Sequence, residues 1–238
     1  MKFINEINAK YLKSEYKECK TIEQATMFGE MYFSNWLKDF QTNSKDLNFR
    51  DRKFTENDYN EVKFLYGENE AKRIKKESLI HHAFAHYCGG TGMLINNWLR
   101  IGQFDKSKVS QDWLMEIIDI IEKEIEKHEI KENIMCFRVL NYEKLLKNNK
   151  INAIKKGTVL IDEGFMSTGL VKECLMEEFP GYDTVMNIFV PKASKAVYLE
   201  RISHRPNEQE ILFQRGIKFK ILSNKRRKNI REINARII

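Results

Sequence analysis

The sequence predicts an α+β protein, with a helical first half followed by a strand-rich second half. All three prolines lie after residue 179, which leaves the first half free to form helices. Apolar residues recur there at helical spacing, whereas short alternating runs bounded by Gly, Pro, Asn and Lys begin near residue 133. Since 42% of the 238 residues are hydrophobic and no linker or repeat separates the halves, we expect one domain with a shared core.

Two helices are expected before residue 67. Thr21 begins the first, because Gln24 follows three residues later as in a capping box. Aromatic side chains then recur every four residues and form one apolar stripe: Phe28, Tyr32, Trp36 and Phe40. Thr55 begins the second helix, whose apolar residues are Tyr59, Val62, Leu65 and Tyr66.

Three further helices complete the first half. Residues 70–87 have a helical pattern, and a glycine-rich break at 88–92 precedes a short helix from 93 to about 101. Ser110 caps a longer helix, whose apolar face holds Leu114, Ile117, Ile118, Ile121 and Ile125. Seven strand-like runs then follow: 134–140, 158–161, 184–190, 196–199, 211–213, 217–221 and 233–238.

Composition and charge limit the classes of function. A net charge of +7 suits an anionic partner such as nucleic acid or a phosphate-rich ligand. The densest basic cluster, residues 225–228, is interpreted as a solvated turn rather than a binding patch. No run of 18 apolar residues could span a bilayer, and the chain does not begin with a signal-peptide core. The scattered cysteines, with no Cys-x-x-Cys pair, favour a reducing compartment.

Two other motifs lack residues that their chemistry needs. His82 and His86 could share a helix face, but Ala83 stands where a zinc protease has its glutamate, so we expect no metal site. The glycines at 89, 90 and 92 are not followed by Lys and Ser or Thr, as a P-loop requires.

Three separated motifs remain as candidates for chemistry. Arg138 lies in the first predicted strand, where a guanidinium is either an edge residue or a phosphate clamp. Ser167 and Thr168 follow a strand-like piece, where hydroxyls terminate the strand or orient a carboxylate. Glu208 and Glu210 are two residues apart, so on a strand both carboxylates would point to one face and repel each other. Each motif alone favours a structural role.

In this order the motifs resemble those of the mono-ADP-ribosyltransferase exotoxin family, in its Arg–Ser–Glu class. Residues 165–170, Phe-Met-Ser-Thr-Gly-Leu, are similar to the family's Phe-x-Ser-Thr-Ser-Leu, and 210–216 resemble the strand of its catalytic glutamate. Residues 87–89 and 95–100 resemble its Tyr-Thr-Gly and Ile-Asn-x-x-Leu-Arg segments, and 200–207 its target-selecting loop. The likeness covers most of the chain and is greatest to actin-modifying components of clostridial binary toxins and to small Rho-modifying exoenzymes.

The resemblance implies a fold, and the chain departs from the family pattern at several positions. The fold is a helical lobe, residues 1–130, packed on a mixed two-sheet β-sandwich that binds NAD, residues 131–238. Gly169 stands where the family has the last serine of Ser-Thr-Ser, and Gly92 where it usually has an aromatic residue. Val139 stands where binary-toxin relatives often have a second arginine, and the loop 201–207 has no aromatic residue.

The resemblance also implies a role for each candidate residue. NAD is the co-substrate, and the bond between nicotinamide and ribose breaks through an oxocarbenium-like transition state. Glu210 stabilises that cation, Ser167 orients Glu210, and Glu208 selects arginine as the acceptor. NAD-binding roles are implied for Arg138, Asn96, Arg100, Tyr87, Thr168 and Phe179. Phe179 stacks on nicotinamide in this interpretation, and a core position is the alternative.

We therefore expect a toxin-like, arginine-specific mono-ADP-ribosyltransferase that modifies a host protein: actin, another cytoskeletal protein or a GTPase. We expect a monomer, delivered to the host cytosol, with no metal and no nucleic-acid or membrane partner. Three alternatives stay open. They are an NAD glycohydrolase that uses water as the acceptor, an inactive docking module of the same fold, and a basic nucleic-acid binder that uses residues 225–228.

Overall fold

A computed structural model describes residues 14–46, 54–104, 109–200, 202–203 and 205–238, with the side chains of 37–46 and 206 excluded. Its helices are α1 (Ile22–Asp46), α2 (Glu56–Tyr66), α3 (Glu68–Cys88), α4 (Gly90–Ile101), α5 (Gln111–Ile125), α6 (Tyr142–Asn148) and α7 (Lys172–Glu178). Its strands are β1 (Ile134–Leu140), β2 (Val159–Asp162), β3 (Met166–Gly169), β4 (Thr184–Val190), β5 (Ala196–Tyr198), β6 (Glu210–Phe213), β7 (Ile217–Arg227) and β8 (Ile230–Ile237). The predicted α+β class is confirmed.

The predicted helix starts are observed with their caps. The Oγ1 atom of Thr55 accepts a hydrogen bond from the Asp58 N–H, and Asp58 accepts one from the Thr55 N–H, which closes a capping box. Ser110 caps α5 through the Trp113 N–H, at 3.2 Å. Thr21 caps α1, but the Gln24 side chain accepts from the N–H of Lys20 rather than from that of Thr21. Local spacing alone therefore located these helix starts.

The glycine-rich segment between α3 and α4 is shorter than predicted. The two helices are separated by Gly89 alone, because Gly90 and Gly92 belong to the first turn of α4. A Cβ atom on Gly92 would lie 2.1 Å from the carbonyl oxygen of Tyr87. The close approach of α4 to the end of α3 thus excludes any larger side chain at position 92, including an aromatic one.

Two short helices and parts of strands β7 and β8 were missed, and strand β3 is not among the seven predicted runs. Helices α6 and α7 have seven residues each, too few for a clear apolar period. Strand β7 continues to Arg227, so most of the basic cluster 225–228 lies in the strand rather than in a turn. The turn falls at Lys228 and Asn229, where Lys228 has a φ of +52°. The cluster is exposed, as predicted.

Hydrogen bonds connect the strands in the order β2-β7-β8-β4-β1-β3-β6-β5, whereas we expected two sheets. Strands β1 and β3 are joined by a single residue pair, Phe137 and Gly169. A group of five strands therefore meets a group of three at one narrow junction. Strands β4 and β8 are parallel and the other neighbouring pairs are antiparallel, so the sheet is mixed.

Helix α1 packs against strand β5 through an aromatic interface. Phe28 and Trp36 of the predicted stripe are buried, while the side chain of Phe40 lies outside the described residues. The Trp36 Nε1–H donates a hydrogen bond to the Tyr198 carbonyl oxygen at 2.9 Å. Gly29 faces the Tyr198 ring so closely that a Cβ atom would lie 2.0 Å from ring atom Cε1. One hydrophobic cluster includes residues of both the helices and the strands.

Across the described ranges, no helix combines the length and the apolar character needed to cross a membrane.

Replacing Gly29 with Ala tests the interface between α1 and Tyr198. We expect the free energy of unfolding to fall by about 1–3 kcal/mol, because the added methyl group forces the buried Tyr198 ring to move. Urea denaturation measures the change. Gly90→Ala is the matched control, since its Cβ atom meets nothing within 4 Å on a helix. Equal losses in the two variants would contradict close packing of Gly29 on the ring.

Candidate active site

Strand β6 begins at Glu210, beside the strand that carries Ser167. The antiparallel register of β3 and β6 places Gly169 opposite Glu210 and Ser167 opposite Leu212. Because residues two apart on a strand share a face, Ser167 is a diagonal neighbour of Glu210. The Ser167 hydroxyl donates a hydrogen bond to the Glu210 carboxylate, and Glu210 is only 6% exposed. The predicted serine and the predicted catalytic glutamate therefore meet across two neighbouring strands.

Glu210 has an unusually high pKa. Burial raises the pKa of this carboxyl to about 7, and the negative charge of Glu208 acts in the same direction. The Ser167 hydrogen bond and the positive charge of Arg205 lower it, but they do not outweigh burial. A buried carboxyl that titrates near neutral pH is typical of a catalytic site.

Glu208 does not continue strand β6, so the expectation that Glu208 and Glu210 lie on one face of a strand is wrong. Glu208 ends a short 3-10 helix, Pro206–Glu208, and Gln209 has a left-handed φ of +48°. Gln209 is 1% exposed, and its Oε1 atom accepts hydrogen bonds from the hydroxyls of Tyr198 at 2.5 Å and Thr26 at 3.3 Å. These buried contacts hold the backbone turn that separates the two carboxylates.

Gly169 allows this turn to lie directly against β3. A Cβ atom at position 169 would lie 2.6 Å from the Glu208 carbonyl oxygen and 2.8 Å from the Leu175 side chain. The adjacent Leu170 N–H donates a hydrogen bond to the Gln209 carbonyl oxygen at 3.2 Å. The departure from Ser-Thr-Ser therefore has a steric cause, because a serine here would displace Glu208.

Asp162, at the end of β2, joins the two predicted arginines and was not identified from the sequence. Arg138 Nη1 lies 2.6 Å from its Oδ2 atom, and Arg100 contacts it through Nε at 2.6 Å and Nη2 at 3.0 Å. Burial alone would raise the pKa of Asp162, but the two guanidinium groups outweigh burial and hold the pKa below its usual range. In the sequence Asp162 is followed by Glu163 and Gly164, and this short polar segment does not distinguish it from other surface acids.

The contact between Arg138 and Asp162 requires a strongly curved sheet. Strand β1 is four places from β2 in the strand order. In a flat sheet the two strands would be roughly 19 Å apart at ordinary interstrand spacing. The 2.6 Å ion pair between Arg138 and Asp162 therefore shows that the group β2-β7-β8-β4-β1 is curved, so that its edge strand β2 faces β1.

Asn96 links helices α3 and α4 to the loop before β3. Its Nδ2 atom donates to the Tyr87 hydroxyl at 2.9 Å, and its Oδ1 atom accepts from the Phe165 N–H at 2.9 Å. The Tyr87 and Phe165 rings meet edge to face, with centroids 5.6 Å apart. Burial, then the charge of Glu210, raises the pKa of Tyr87, which places this cluster near Glu210. NAD contacts of Asn96 and Tyr87 stay predictions.

Thr168 and Phe179 are placed differently from the other predicted residues. Thr168 is buried and donates its hydroxyl hydrogen bond to the Ile211 carbonyl oxygen at 3.0 Å, on the face of β3 opposite Ser167. Phe179 follows α7 and lies under the guanidinium of Arg205, 5.3 Å from ring centre to Cζ. Arg205 in turn contacts Glu208. NAD contacts of Thr168 and Phe179 stay predictions, and residues 201 and 204 of the neighbouring loop lie outside the described part.

A cleft of about 180 Å³ opens beside the two arginines. Its polar lining combines the two arginines with the acids Asp162 and Glu163. The other polar residues are Tyr182 and those from the start and face of α6: Asn141, Lys144, Asn148 and Asn149. Glu210 and Ser167 are not part of this lining, and Met166, the residue before Ser167, is the only residue of β3 in it. Three cationic side chains against two acids leave the cleft with a net positive charge of one, which favours an anionic group such as a pyrophosphate.

The histidines predicted not to form a metal site contact each other. The Nε2 atoms of His82 and His86 are 3.1 Å apart, and His86 packs edge-on against Trp113. Where the structure describes side chains, no group of three His, Cys, Asp or Glu residues could hold a metal ion.

The family described as ADP-ribosyltransferase exoenzyme matches residues 63–238, well over half of the chain. The chain belongs to this family. Its reaction is therefore an NAD-dependent transfer of ADP-ribose, and the toxin-like character predicted from the motifs is confirmed. A comparison with curated proteins finds no match.

Solved ADP-ribosyltransferases share the fold at low sequence identity. Plx2a, a toxin from Paenibacillus larvae, is 20% identical with a TM-score of 0.60, over 91% of this chain and 96% of that chain. C3stau2 from S. aureus, solved with NAD, is 18% identical with a TM-score of 0.62, over 94% and 99%. BECa of a C. perfringens binary enterotoxin, solved with NADH, is 19% identical with a TM-score of 0.64, over 92% of this chain and 49% of that chain. At these identities the likeness establishes the fold.

Replacing Asp162 with Ala tests whether this carboxylate holds the arginine pair. We expect the free energy of unfolding to fall by about 3 kcal/mol or more, because two neighbouring guanidinium groups lose their shared counter-charge in a buried site. Urea denaturation gives the value. Asp119→Ala is the control: its ion pair with Lys123 is exposed, so we expect a loss below about 1 kcal/mol. A loss at Asp162 no larger than at Asp119 would refute the structural role.

Proposed function

We propose that the protein transfers ADP-ribose from NAD to an arginine side chain of a target protein and releases nicotinamide. The observation that carries this proposal is the different surroundings of the two glutamates. Glu210 is buried and accepts a hydrogen bond from Ser167, whereas Glu208 is paired with a guanidinium, that of Arg205. Family membership accounts for the use of NAD, and the Glu208 surroundings support arginine as the acceptor.

Glu210 is suited to the step in which NAD is cleaved. Nicotinamide leaves with the electrons of its bond to ribose C1′, and the ribose becomes oxocarbenium-like. An ionised carboxylate in a buried site stabilises that cation more strongly than water does. Ser167 keeps the carboxylate oriented through its hydrogen bond. Glu210 acts only when ionised, so its high pKa links the cleavage rate to pH.

Arg138 is suited to holding the phosphates of NAD. A guanidinium has five donors in a rigid fork, and Asp162 contacts Arg138 through Nη1. Asp162 thus fixes the position of Arg138, while donors remain for a phosphate. Arg100 and Lys144 add positive charge to the same cleft. Arg100 also donates to the Phe165 carbonyl oxygen at 2.9 Å, so part of its role is to support the loop before β3.

Glu208 is suited to the transfer step. Its carboxylate can pair with an incoming guanidinium and accept a proton as the nitrogen attacks C1′. Burial, followed by the neighbouring charge of Glu178, raises the pKa of Glu208, although Arg205 acts in the opposite direction. A raised pKa makes this carboxylate a better proton acceptor than an ordinary surface glutamate.

The target and the site of action follow from the resemblance and are part of the proposal. Actin is the first candidate, with other cytoskeletal proteins and GTPases behind it, and the host cytosol is the place of action. Labelling a host lysate with isotopic NAD, followed by mass spectrometry of the labelled residue, identifies both the target and the acceptor side chain. If water proves to be the main acceptor, the protein is an NAD glycohydrolase that uses the same Glu210 chemistry.

Glu210→Gln and Glu208→Gln separate the two steps. We expect Glu210→Gln to lower both NAD hydrolysis and transfer to agmatine, a small guanidine, by at least about 10²–10³-fold, because the charge that stabilises the cation is lost. We expect Glu208→Gln to lose transfer while it keeps most of the NAD hydrolysis. Release of labelled nicotinamide and labelling of agmatine measure the two rates.

Glu61→Gln, on the exposed surface of α2, is the matched control and should keep both rates. If Glu208→Gln labelled agmatine at the full rate, Glu208 would not select the acceptor. If Glu210→Gln cleaved NAD normally, the catalytic assignment would be wrong.

The pH dependence of NAD cleavage tests the surroundings of Glu210. A carboxyl with a pKa of about 7 gives a kcat/KM that rises with pH through that value, since only the ionised form acts. Ser167→Ala removes a hydrogen bond that lowers the pKa, so the rising limb should move to higher pH. Glu208→Gln removes a charge that raises the pKa, so the limb should move to lower pH. Shifts in the same direction would contradict the contacts assigned to Glu210.

A further inference from the structure

Arg205 occupies the position at Glu208 where an acceptor arginine is expected. Its Nη1 atom lies 3.2 Å from Glu208 Oε1, its Nε atom lies 3.8 Å from Glu178 Oε1, and its guanidinium stacks over the Phe179 ring. Two carboxylates and one aromatic face are the groups that recognise a guanidinium most strongly. The chain therefore supplies its own ligand to this site.

Arg205 is also within electrostatic reach of the catalytic carboxyl. Its positive charge lowers the pKa of Glu210, while the charge of Glu208 raises it, so the three groups lie close together. The Arg205 side chain is 54% exposed, which leaves the guanidinium accessible from solvent. Its backbone N–H donates to the Ser203 hydroxyl at 3.1 Å, which anchors the loop near the site.

We propose that the enzyme ADP-ribosylates its own Arg205, within one chain. This proposal rests on the arginine specificity proposed above, and it identifies Arg205 as one substrate of the same site. Arg205 and Glu208 are three residues apart on one turn, so the guanidinium reaches the carboxylate without a second molecule. Modification within the chain follows from that contact.

The reaction balances with NAD as the only co-substrate. The bond between nicotinamide and ribose C1′ breaks, and nicotinamide leaves with the bonding electrons. A terminal nitrogen of Arg205 forms a new bond to C1′, and the proton that this nitrogen loses passes to Glu208 and then to solvent. The products are ADP-ribosyl-Arg205, nicotinamide and one proton.

Incubation of the full chain with NAD, followed by peptide mass spectrometry, tests the proposal. We expect a single ADP-ribose on Arg205, and a labelling rate per chain that does not change with protein concentration. Arg205→Lys should lose the mark, because an ammonium is not a guanidine acceptor, and should still label agmatine. Arg215→Lys is the matched control: Arg215 is also an ion-paired, partly exposed arginine, and its replacement should leave the mark on Arg205.

Each outcome decides between distinct conclusions. If agmatine is labelled while Arg205 stays unmodified, automodification is overturned and the proposed transfer to arginine is left intact. If neither agmatine nor Arg205 is labelled, the proposed transfer to arginine is itself overturned. A mark on the inactive Glu210→Gln chain, when it is mixed with active enzyme, overturns modification within one chain. A mark confined to other arginines overturns the assignment to Arg205.

Discussion

The buried amide of Gln209 is the contact on which the arrangement of the active site depends. Its left-handed backbone is unfavourable by about 1–2 kcal/mol for a residue with a side chain, and hydrogen bonds from Tyr198 and Thr26 offset that cost. The turn separates Glu208 from Glu210, which stays on strand β6. Tyr198 takes its place only because Gly29 leaves room on helix α1. The helical half therefore fixes the relative positions of the two carboxylates, although it contributes neither of them.

Like charges are brought close together twice in this site, and a counter-charge makes each grouping tolerable. Asp162 lies between Arg100 and Arg138 and neutralises part of their repulsion in a buried position. Arg205 lies beside Glu208 and reduces the repulsion that Glu208 exerts on Glu210. The two groupings differ in one respect: Asp162 is enclosed, whereas Arg205 is half exposed. The arginine pair is thus enclosed together with its counter-charge, whereas the counter-charge of the carboxylate pair is in contact with solvent.

The glycine departures from the family pattern are consequences of packing. Gly169 lets the Glu208 turn approach strand β3, and Gly92 lets helix α4 approach the end of α3. In both places a Cβ atom would meet a backbone carbonyl oxygen first, and such an oxygen cannot move aside as the end of a flexible side chain can. These two glycines therefore determine how closely neighbouring segments of the site pack. A comparison of motifs alone shows them only as departures from the family pattern.

The sequence by itself determined the class of fold, the helix caps and the order of Arg138, Ser167 and Glu210. The fold class and the caps depend on residues three or four apart or on alternation along one strand, so local spacing predicts them. The three residues were assigned only through the resemblance to the family. Only the tertiary structure decided the roles of Asp162 and Gln209 and the departure of Glu208 from its strand. Asp162 meets Arg100 across 62 positions, and Gln209 meets Thr26 across 183. No local pattern encodes such contacts, because they arise only when the helices and the curved sheet pack together.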